Sequence, residues 1–162
     1  NRFMIYIIDG HNLIPKLPGL SLEAVDDELR LIERLQVFCR IQRSSVQVFF
    51  DRAPAGFSGA RSFGSVRAHF VPQGTIADDA IARHLQRLGK AARNQTLVSS
   101  DRRVQAEGRS AGAQVISSET FAGMILQAEA KAAETIRTAD QPLSVGEVDE
   151  WLELFKARRK DS

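Results

Sequence analysis

Cysteine is nearly absent from this chain, since Cys39 is the only one among 162 residues. A single thiol excludes an intrachain disulfide, and no cluster of histidine and cysteine has the spacing of a zinc site. Cys39 falls within a stretch that has the pattern of a helix interior, so we expect a buried structural thiol. This usage favours a cytoplasmic protein whose core needs neither disulfides nor a structural metal.

Long hydrophobic runs are also missing. The first apolar stretch, residues 3–8, ends at Asp9 and is too short for the core of a signal peptide or for a membrane span, so we expect no membrane partner. The net charge is only +2, which permits a nucleic-acid partner without arguing strongly for one. With 43% hydrophobic and 26% charged residues and no internal repeat, the composition is that of an ordinary globular domain.

Strand-like and helix-like segments alternate along the chain. Short apolar runs predict strands at residues 3–8, 46–50, 66–71, 96–99 and 114–116. Apolar residues three and four positions apart predict helices that begin at Ser21, Thr75, Asp101, Ser118 and Ser144. The glycine-containing segment 52–65 is predicted to be a long loop, and the strand after it should lie near an edge of the sheet because its apolar residues alternate with Arg67 and His69.

This alternation predicts a single three-layer α/β domain with a central, mostly parallel sheet. The domain should span residues 1–138, and residues 139–162 should form a C-terminal helical extension that packs on it as a lid or a dimer element. Ligands of such sheets bind beyond the carboxyl ends of the strands, and this edge is where a functional site is expected.

Acidic residues occur at that edge. Asp9, Asp51 and Asp101 each follow a predicted strand directly or nearly so, and Asp78 and Asp79 fall in the first turns of the helix after the third strand. If the three strands are neighbours, these carboxylates converge and raise one another's pKa. A divalent cation relieves that repulsion, and a set of hard oxygen ligands suits Mg²⁺ or Mn²⁺.

Each acid also has an ordinary explanation. An aspartate after a strand is often only a helix cap, as Asp101 could be, and Asp78 and Asp79 could simply favour the positive start of a helix. Three aspartates after three apolar strands make the capping explanation the weaker one for the set. Asp26 and Asp27 lie in the first helix, away from any strand end, and we expect both to be solvated.

Four short motifs follow one another along the chain. They are Asp9-Gly10-His11-Asn12-Leu13-Ile14, Val48-Phe49-Phe50-Asp51, Thr75-Ile76-Ala77-Asp78-Asp79 and Ser99-Ser100-Asp101-Arg102. In this order and spacing they resemble the NYN domain family of PIN-like nucleases, particularly its YacP-like branch, over roughly residues 4–126. The chain departs from the family in having His11 where a tyrosine is usual and Asp79 where the branch often has another polar residue.

The resemblance implies an endoribonuclease that depends on Mg²⁺ or Mn²⁺ and hydrolyses RNA, with single-stranded RNA as the expected substrate. It implies a catalytic site that consists of Asp9, Asp51, Asp78 and Asp101, supported by Asn12, Ser100 and Asp79. Asp9, Asp78 and Asp101 would hold the metal, and Asp51 would complete its shell or hold the attacking water. The products would carry a 5′ phosphate and a 3′ hydroxyl.

Cations near the acids could bind the substrate phosphates. Arg52, Arg102 and Arg103 follow site aspartates, although each could equally be a solvated surface residue. His11 could bind substrate or transfer a proton, or it could be a turn residue with no chemistry. Phe57 and Phe63 could stack on unpaired bases or pack into the core.

Other α/β functions lack their motifs here. The segment after the first strand has no G-x-G-x-x-G pattern and no P-loop, so a dinucleotide-binding or P-loop domain is excluded. A receiver domain would need a lysine after a late strand, and a haloacid-dehalogenase-type phosphatase would need an aspartate where His11 stands. The remaining alternative is a non-catalytic RNA-binding or scaffold module with the same fold. No motif encodes binding to the ribosome or to other RNA-processing machinery, and whether the chain forms a homodimer is left open.

Overall fold

The computed structural model describes residues 3–21, 26–53, 58–72 and 76–140. The chain divides into two compact units, Asn1–Glu129 and Ala130–Ser162. In the second unit the described residues are 130–140, which continue the last described helix. The predicted helix from Ser144 lies outside the described residues, so the extension and its packing stay a prediction.

Within the described residues, six strands form one sheet. They are β1 (Met4–Asp9), β2 (Ser44–Ala53), β3 (Gly59–Phe63), β4 (Val66–Pro72), β5 (Gln95–Val98) and β6 (Gln114–Ile116). Their order across the sheet is β3-β4-β2-β1-β5-β6, and every pairing is parallel except the antiparallel pairing of β3 with β4. The predicted α/β fold with a mostly parallel sheet is confirmed.

Five α-helices accompany the sheet in the part of the chain that is described. They are α1 (Gly10–Leu13), α2 (Asp27–Gln42), α3 (Ala77–Leu88), α4 (Arg102–Ala111) and α5 (Ser118–Asp140), with 3₁₀ turns at Ile14–Lys16 and Gly89–Asn94. Helix α4 ends at Ala111, because Gly112 adopts the left-handed conformation (φ of 90°) in which its amide bonds back to the helix. None of the helices in these ranges is long and apolar enough to cross a membrane.

The sheet is buried on both faces because successive side chains of a strand point to opposite sides. On one face, Ile8 belongs to a core with Phe38 of α2 and Phe121 of α5. On the other face, Ile7 belongs to a second core with residues of α3 and α4 such as Ile81. This double burial explains why β1 reads as an uninterrupted apolar run.

Cys39 is 3% exposed within the first core, which confirms the predicted buried thiol. Burial raises the pKa of this thiol to about 11, so it is uncharged at neutral pH.

The predicted long loop is partly wrong, because residues 59–63 form the edge strand β3. Phe63 pairs with Val66 across a two-residue turn, and Gly64 supplies the positive φ of 67° that such a turn requires. Strand β4 is therefore second from the edge, which confirms the prediction that it lies near an edge of the sheet. Four of the five residues of β3 are exposed, so no apolar alternation marks the strand in the sequence.

The expectation that Asp27 is solvated is also wrong. Asp27 is 2% exposed, and its Oδ2 accepts a hydrogen bond of 2.6 Å from the backbone amide of Ser21. Helix α2 begins at Asp27 rather than at Ser21. The Asp27 carboxylate therefore ties the backbone at Ser21 to the first residue of the helix. Asp26 is exposed, as expected.

The three strands with predicted site aspartates are neighbours, since β1 lies between β2 and β5. Their carboxyl ends share one edge of the sheet because all three run parallel. The condition for convergence of the acids is therefore met by the topology.

Candidate active site

Asp9 is the last residue of β1 and is only 7% exposed. Burial first, and then the negative charges of Asp78 and Asp51, raise its pKa to about 6. The amide of Asn12 and the hydroxyl of Ser99 oppose this rise, and the Ser99 Oγ lies 3.4 Å from Asp9 Oδ2. Asp9 is thus a buried carboxylate surrounded by more negative than positive charge.

The four predicted aspartates form one electrostatic group. Besides its influence on Asp9, Asp78 has its own pKa raised by burial first and then by Asp101, Asp51 and Asp79, while the positive charge of Arg103 opposes the rise. Asp78 and Asp79 occupy the first turn of α3, where Asp78 is half-buried and Asp79 is exposed. The structure therefore brings together acids from β1, β2, α3 and the start of α4.

Asp101 caps helix α4, and it also belongs to the acidic group. Its Oδ1 accepts hydrogen bonds from the backbone amides of Arg103 (2.8 Å) and Val104 (3.5 Å). Its own amide donates to Ser99 Oγ at 3.1 Å, the hydroxyl that also donates to Asp9. The capping explanation is therefore confirmed, and a catalytic or metal-binding role for Asp101 stays a prediction.

Ser99 is a site residue that the sequence analysis missed. It is fully buried and its hydroxyl joins Asp9 to the backbone of Asp101. Its carbonyl oxygen accepts a hydrogen bond of 2.8 Å from Gln105 Nε2, which fixes the turn between β5 and α4. The preference given to Ser100 over Ser99 came from the family motif, and only the side-chain direction in the fold separates the two serines.

Asp51 belongs to β2 two residues before its end, beside an irregularity in the pairing with β4. Its Oδ1 is in close contact with Nδ1 of His11, and His11 Nε2 lies 2.9 Å from Oε1 of Glu28 in α2. Burial alone would lower the pKa of His11, but its hydrogen bonds to Glu28 and Asp51 and their negative charges outweigh burial and raise it. The imidazole is therefore held between two carboxylates, an arrangement that favours its protonated form.

Glu28 is a second residue that the sequence analysis missed. It lies in the first turn of α2, far along the chain from every acidic motif, and no sequence spacing links it to His11. Its partnership with His11 depends on how α2 packs beside α1.

Asn12 and Ser100, predicted as supporting residues, hold the surrounding backbone. Asn12 Oδ1 accepts hydrogen bonds from the Ser100 amide (2.8 Å) and from the Ser118 hydroxyl (2.6 Å). Ser100 Oγ accepts from the Ser118 amide at 2.9 Å and donates to Glu119. These bonds connect α1, the turn after β5 and the start of α5 around the acidic group.

The predicted cationic residues differ in position. Arg103 is exposed on α4, close enough to Asp78 for its charge to lower the pKa of that acid. Arg102 is exposed at the first position of α4. The side chain of Arg52 and the whole of Phe57 lie outside the described residues. Phe63 packs against the core, so the core alternative is correct for that ring.

The donor set fits a divalent cation chemically. Four carboxylates supply hard oxygen ligands. Burial first, and then repulsion among these acids, raises the pKa values of Asp9 and Asp78, and a bound cation would relieve that repulsion. Within the described ranges, however, no three histidine, cysteine, aspartate or glutamate side chains are close enough to enclose one ion. Mg²⁺ keeps several waters and needs only one or two carboxylates, so the predicted set of three ligands stays a prediction.

The chain is similar to known proteins in sequence and in fold. The family described as YacP-like NYN domain matches residues 6–155. No curated protein matches the chain. A crystal structure described as Rae1 (YacP) from Bacillus subtilis is similar with a TM-score of 0.74 and 21% identity, covering 96% of this chain and 92% of that one. Its W164L mutant has a TM-score of 0.72 and 24% identity, with coverage of 98% and 97%.

Proposed function

The chain belongs to the YacP-like NYN domain family, which has a nuclease-type fold, and on that premise we propose that it is an endoribonuclease dependent on Mg²⁺ or Mn²⁺. Its substrate is single-stranded RNA, and it hydrolyses the phosphodiester bond to leave a 5′ phosphate and a 3′ hydroxyl. The acidic group at the carboxyl ends of β1, β2 and β5 is its catalytic site.

One observation carries this proposal. Asp9 is buried beside Asp51 and Asp78, and its pKa is raised to about 6. A fold gains no stability from burying a carboxylate among other carboxylates, because each charge destabilises the others. Such clusters are typical of functional sites, where a bound cation or a proton completes the arrangement.

Asp9, Asp78 and Asp101 are the residues from which the cation would take one or two carboxylate ligands, with waters completing its shell. When bound, the cation would neutralise charge on the scissile phosphate and lower the pKa of a water molecule. Asp101 already uses Oδ1 for two helix amides, so the cap fixes the direction of this carboxylate. Ser99 fixes Asp9 and the backbone of Asp101 relative to each other.

Asp51 is the residue best placed to orient the attacking water. Its contact with His11 fixes one carboxylate oxygen, and Glu28 fixes the imidazole from the other side. When protonated, the His11 imidazole also places a positive charge beside the acids and so lessens the repulsion that a phosphate would meet. Arg103 supplies a second positive charge beside Asp78.

The test is cleavage of a labelled single-stranded RNA in Mn²⁺, in Mg²⁺ and in chelator. We expect Asp9→Asn and Asp101→Asn each to lower the rate at least a hundredfold, since both remove a charge and keep the shape of the side chain. Asparagine is as good a helix cap as aspartate, so Asp101→Asn should stay folded. Asp26→Asn, which changes an exposed aspartate before α2, is the matched control and should cut at the normal rate.

Cutting that persists in chelator, or that is unchanged in both site variants, would overturn the mechanism. RNA binding without cutting in any divalent cation would favour the non-catalytic alternative. Each variant should first be compared with the natural chain in thermal unfolding, so that lost activity is not confused with lost folding.

A further inference from the structure

A second feature lies beside the acidic group on the face of the sheet that α3 partly covers. It is an open cleft of about 710 Å³ between α3 and the strands β2, β4 and β3. Its lining is Phe49, Ser58, Gly59, Ala60, His69, Phe70, Val71, Pro72, Ala80, Arg83, Gln86 and Arg87. None of the four site aspartates lines the cleft, so it is a surface distinct from the acidic group.

The sheet register places this cleft directly next to Asp9. Asp9 pairs with Phe49, Phe49 pairs with His69, and His69 pairs with Ala60, so the four residues form one row across β1, β2, β4 and β3. Asp9 shares its face with Ile7, and both Ile7 and Phe49 belong to the core on the α3 side. With about 4.8 Å between strands, His69 lies about 10 Å from Asp9 along this row.

The floor of the cleft is aromatic. The rings of Phe49 and His69 stack with 4.3 Å between centroids and 7° between planes, and His84 meets Phe49 edge-on at 5.5 Å. His69 Nε2 bonds to Gln47 Oε1 at 2.6 Å, which fixes the orientation of the ring. Burial first, and then the charges of His84, Arg67 and Arg87, lower the pKa of His69 to about 4, so its ring is neutral at pH 7.

Beyond His69 the lining consists only of small residues, Ser58 and the β3 residues Gly59 and Ala60. His69 is therefore only partly buried, and space remains above the edge of the sheet beside its ring. A flat group of the size of a nucleobase can extend the Phe49–His69 stack in that space.

Helix α3, which forms one wall of the cleft, is acidic at its start and basic along the cleft. Asp78 lies at the start of α3 in the acidic group, whereas Arg83 and Arg87 line the cleft one and two turns later on a shared face. At 1.5 Å per residue they lie about 8 Å and 14 Å along the helix from Asp78. Both arginines are exposed, and the charge of Arg87 is felt at His69 and His84.

We propose that this cleft binds the unpaired nucleotides of an RNA strand adjacent to the scissile phosphate, with one base stacked on His69 and the flanking phosphates held by Arg83 and Arg87. The inference rests on the proposed function for its direction, because it places the scissile phosphate at the acids. The arrangement also explains a preference for single strands, since only an unpaired base offers a free face to the ring.

The binding test uses the full chain in chelator, so that no RNA is cut, and measures fluorescence anisotropy of a labelled single-stranded oligoribonucleotide at several salt concentrations. We expect the double variant Arg83→Gln, Arg87→Gln to weaken binding and to reduce the slope of log affinity against log salt by about 1.4, or about 0.7 for each phosphate contact. The matched control is Arg40→Gln, Arg109→Gln, which removes two exposed arginines outside the cleft. Equal losses in the two double variants would overturn the phosphate contacts.

A second pair of variants tests the stack. His69→Leu removes the flat ring and should weaken binding about tenfold, whereas His69→Phe keeps a flat ring and should bind as the natural chain does. An oligonucleotide with an abasic site at the stacked position should bind both variants equally. Equal affinity of both variants for the intact RNA would overturn the stack. A free mononucleotide that competes as well as the oligonucleotide would overturn the binding of a strand along the cleft.

The failure of this inference can be told apart from failure of the proposed activity. If the cleft variants lose binding as expected while no RNA is cut in Mn²⁺, the cleft is supported and the nuclease proposal fails. If Asp9→Asn abolishes cutting while the cleft variants bind and cut normally, the nuclease proposal stands and the cleft proposal is overturned.

Discussion

Asp9 shows at the scale of a single residue how position in a strand sets chemistry. As the final residue of the central strand it is covered by neighbours on both sides, and its charge is opposed by burial and by nearby carboxylates. The few hydrogen bonds that favour the ionised form, from Ser99 and Asn12, do not offset these costs. Its protonation is therefore coupled to the stability of the whole chain.

The first consequence is a dependence of stability on pH. The pKa of Asp9 is about 6 in the folded chain and 3.8 by its ordinary value, so the folded state holds the proton more tightly. Its contribution to the free energy of unfolding is therefore greatest below about pH 4 and falls as the pH rises to about 6, by about 3 kcal/mol in all. Asp9→Asn should remove this fall and be the more stable protein at pH 8.

Urea unfolding in chelator at several pH values from 4 to 8 measures this effect. Asp26→Asn is the control, because that exposed carboxylate should leave the pH dependence of the natural chain unchanged. Parallel curves for the natural chain and Asp9→Asn would contradict the raised pKa.

Sequence reasoning located the acids and the nearby residues Asn12 and Ser100, but it missed Glu28 and Ser99. Aspartates after apolar strands are visible in the sequence because the strand pattern and the parallel rule together give their location. The same reasoning does not predict the roles of Glu28 and Ser99. A glutamate in the first turn of a helix and a serine beside another serine are ordinary features of a sequence. Their roles arise from the packing of α2 beside α1 and from the direction of one hydroxyl.

At the scale of elements, the short helix α1 is what aligns the site. It begins directly after Asp9 and carries both His11, which contacts Asp51, and Asn12, which bonds to Ser100. Its first residue is Gly10, where a Cβ atom would lie 2.4 Å from the ring of Phe50 and 2.8 Å from the carbonyl oxygen of Phe49. A side chain at this position therefore collides with the backbone of β2.

We expect Gly10→Ala to cost about 1–3 kcal/mol of unfolding free energy, because the collision involves backbone as well as a packed ring. Displacement of α1 should also lower the rate of RNA cleavage more than stability alone explains. Gly123→Ala in α5 is the matched control, since its Cβ meets nothing within 4 Å, and it should gain up to about 1 kcal/mol from helix propensity. Chemical unfolding of the two variants gives the comparison, and equal stability would contradict the close approach.

Elements with a strong apolar period were predictable, and those without one were not. The strands β1 and β2 and the helices α3 and α4 follow from their hydrophobic spacing and caps. Strand β3 does not, because its exposed residues carry no alternation and its existence depends on pairing with β4. The start of α2 was misplaced for a related reason: Asp27 reads as a surface charge, but the fold buries it against the Ser21 amide.

At the scale of the whole molecule, the adjacency of β2, β1 and β5 concentrates negative charge at one edge of the sheet. A cation that binds the folded chain but not the unfolded chain must raise the free energy of unfolding. With Mn²⁺ at a hundred times its dissociation constant, the expected gain is about 2.7 kcal/mol. Thermal unfolding with increasing Mn²⁺ measures this gain without any need for activity.

The gain should disappear in Asp78→Asn and persist in Asp79→Asn, because Asp78 is half-buried in the acidic group whereas its neighbour is exposed. An equal gain in all three proteins would mean that Mn²⁺ binds elsewhere. Loss of the gain in both variants would instead make Asp79 a further ligand.

The two outer strands bear on how the chain behaves at high concentration. A free strand edge presents unpaired amides and carbonyls that can recruit another molecule into a growing ribbon. Among the described strands, one edge of the sheet is β6, which is only three residues long. The other edge is β3, which carries Arg61 and is mostly exposed. A very short edge strand and an edge strand that carries a charge are both poor templates for strand addition. The architecture therefore disfavours fibre formation.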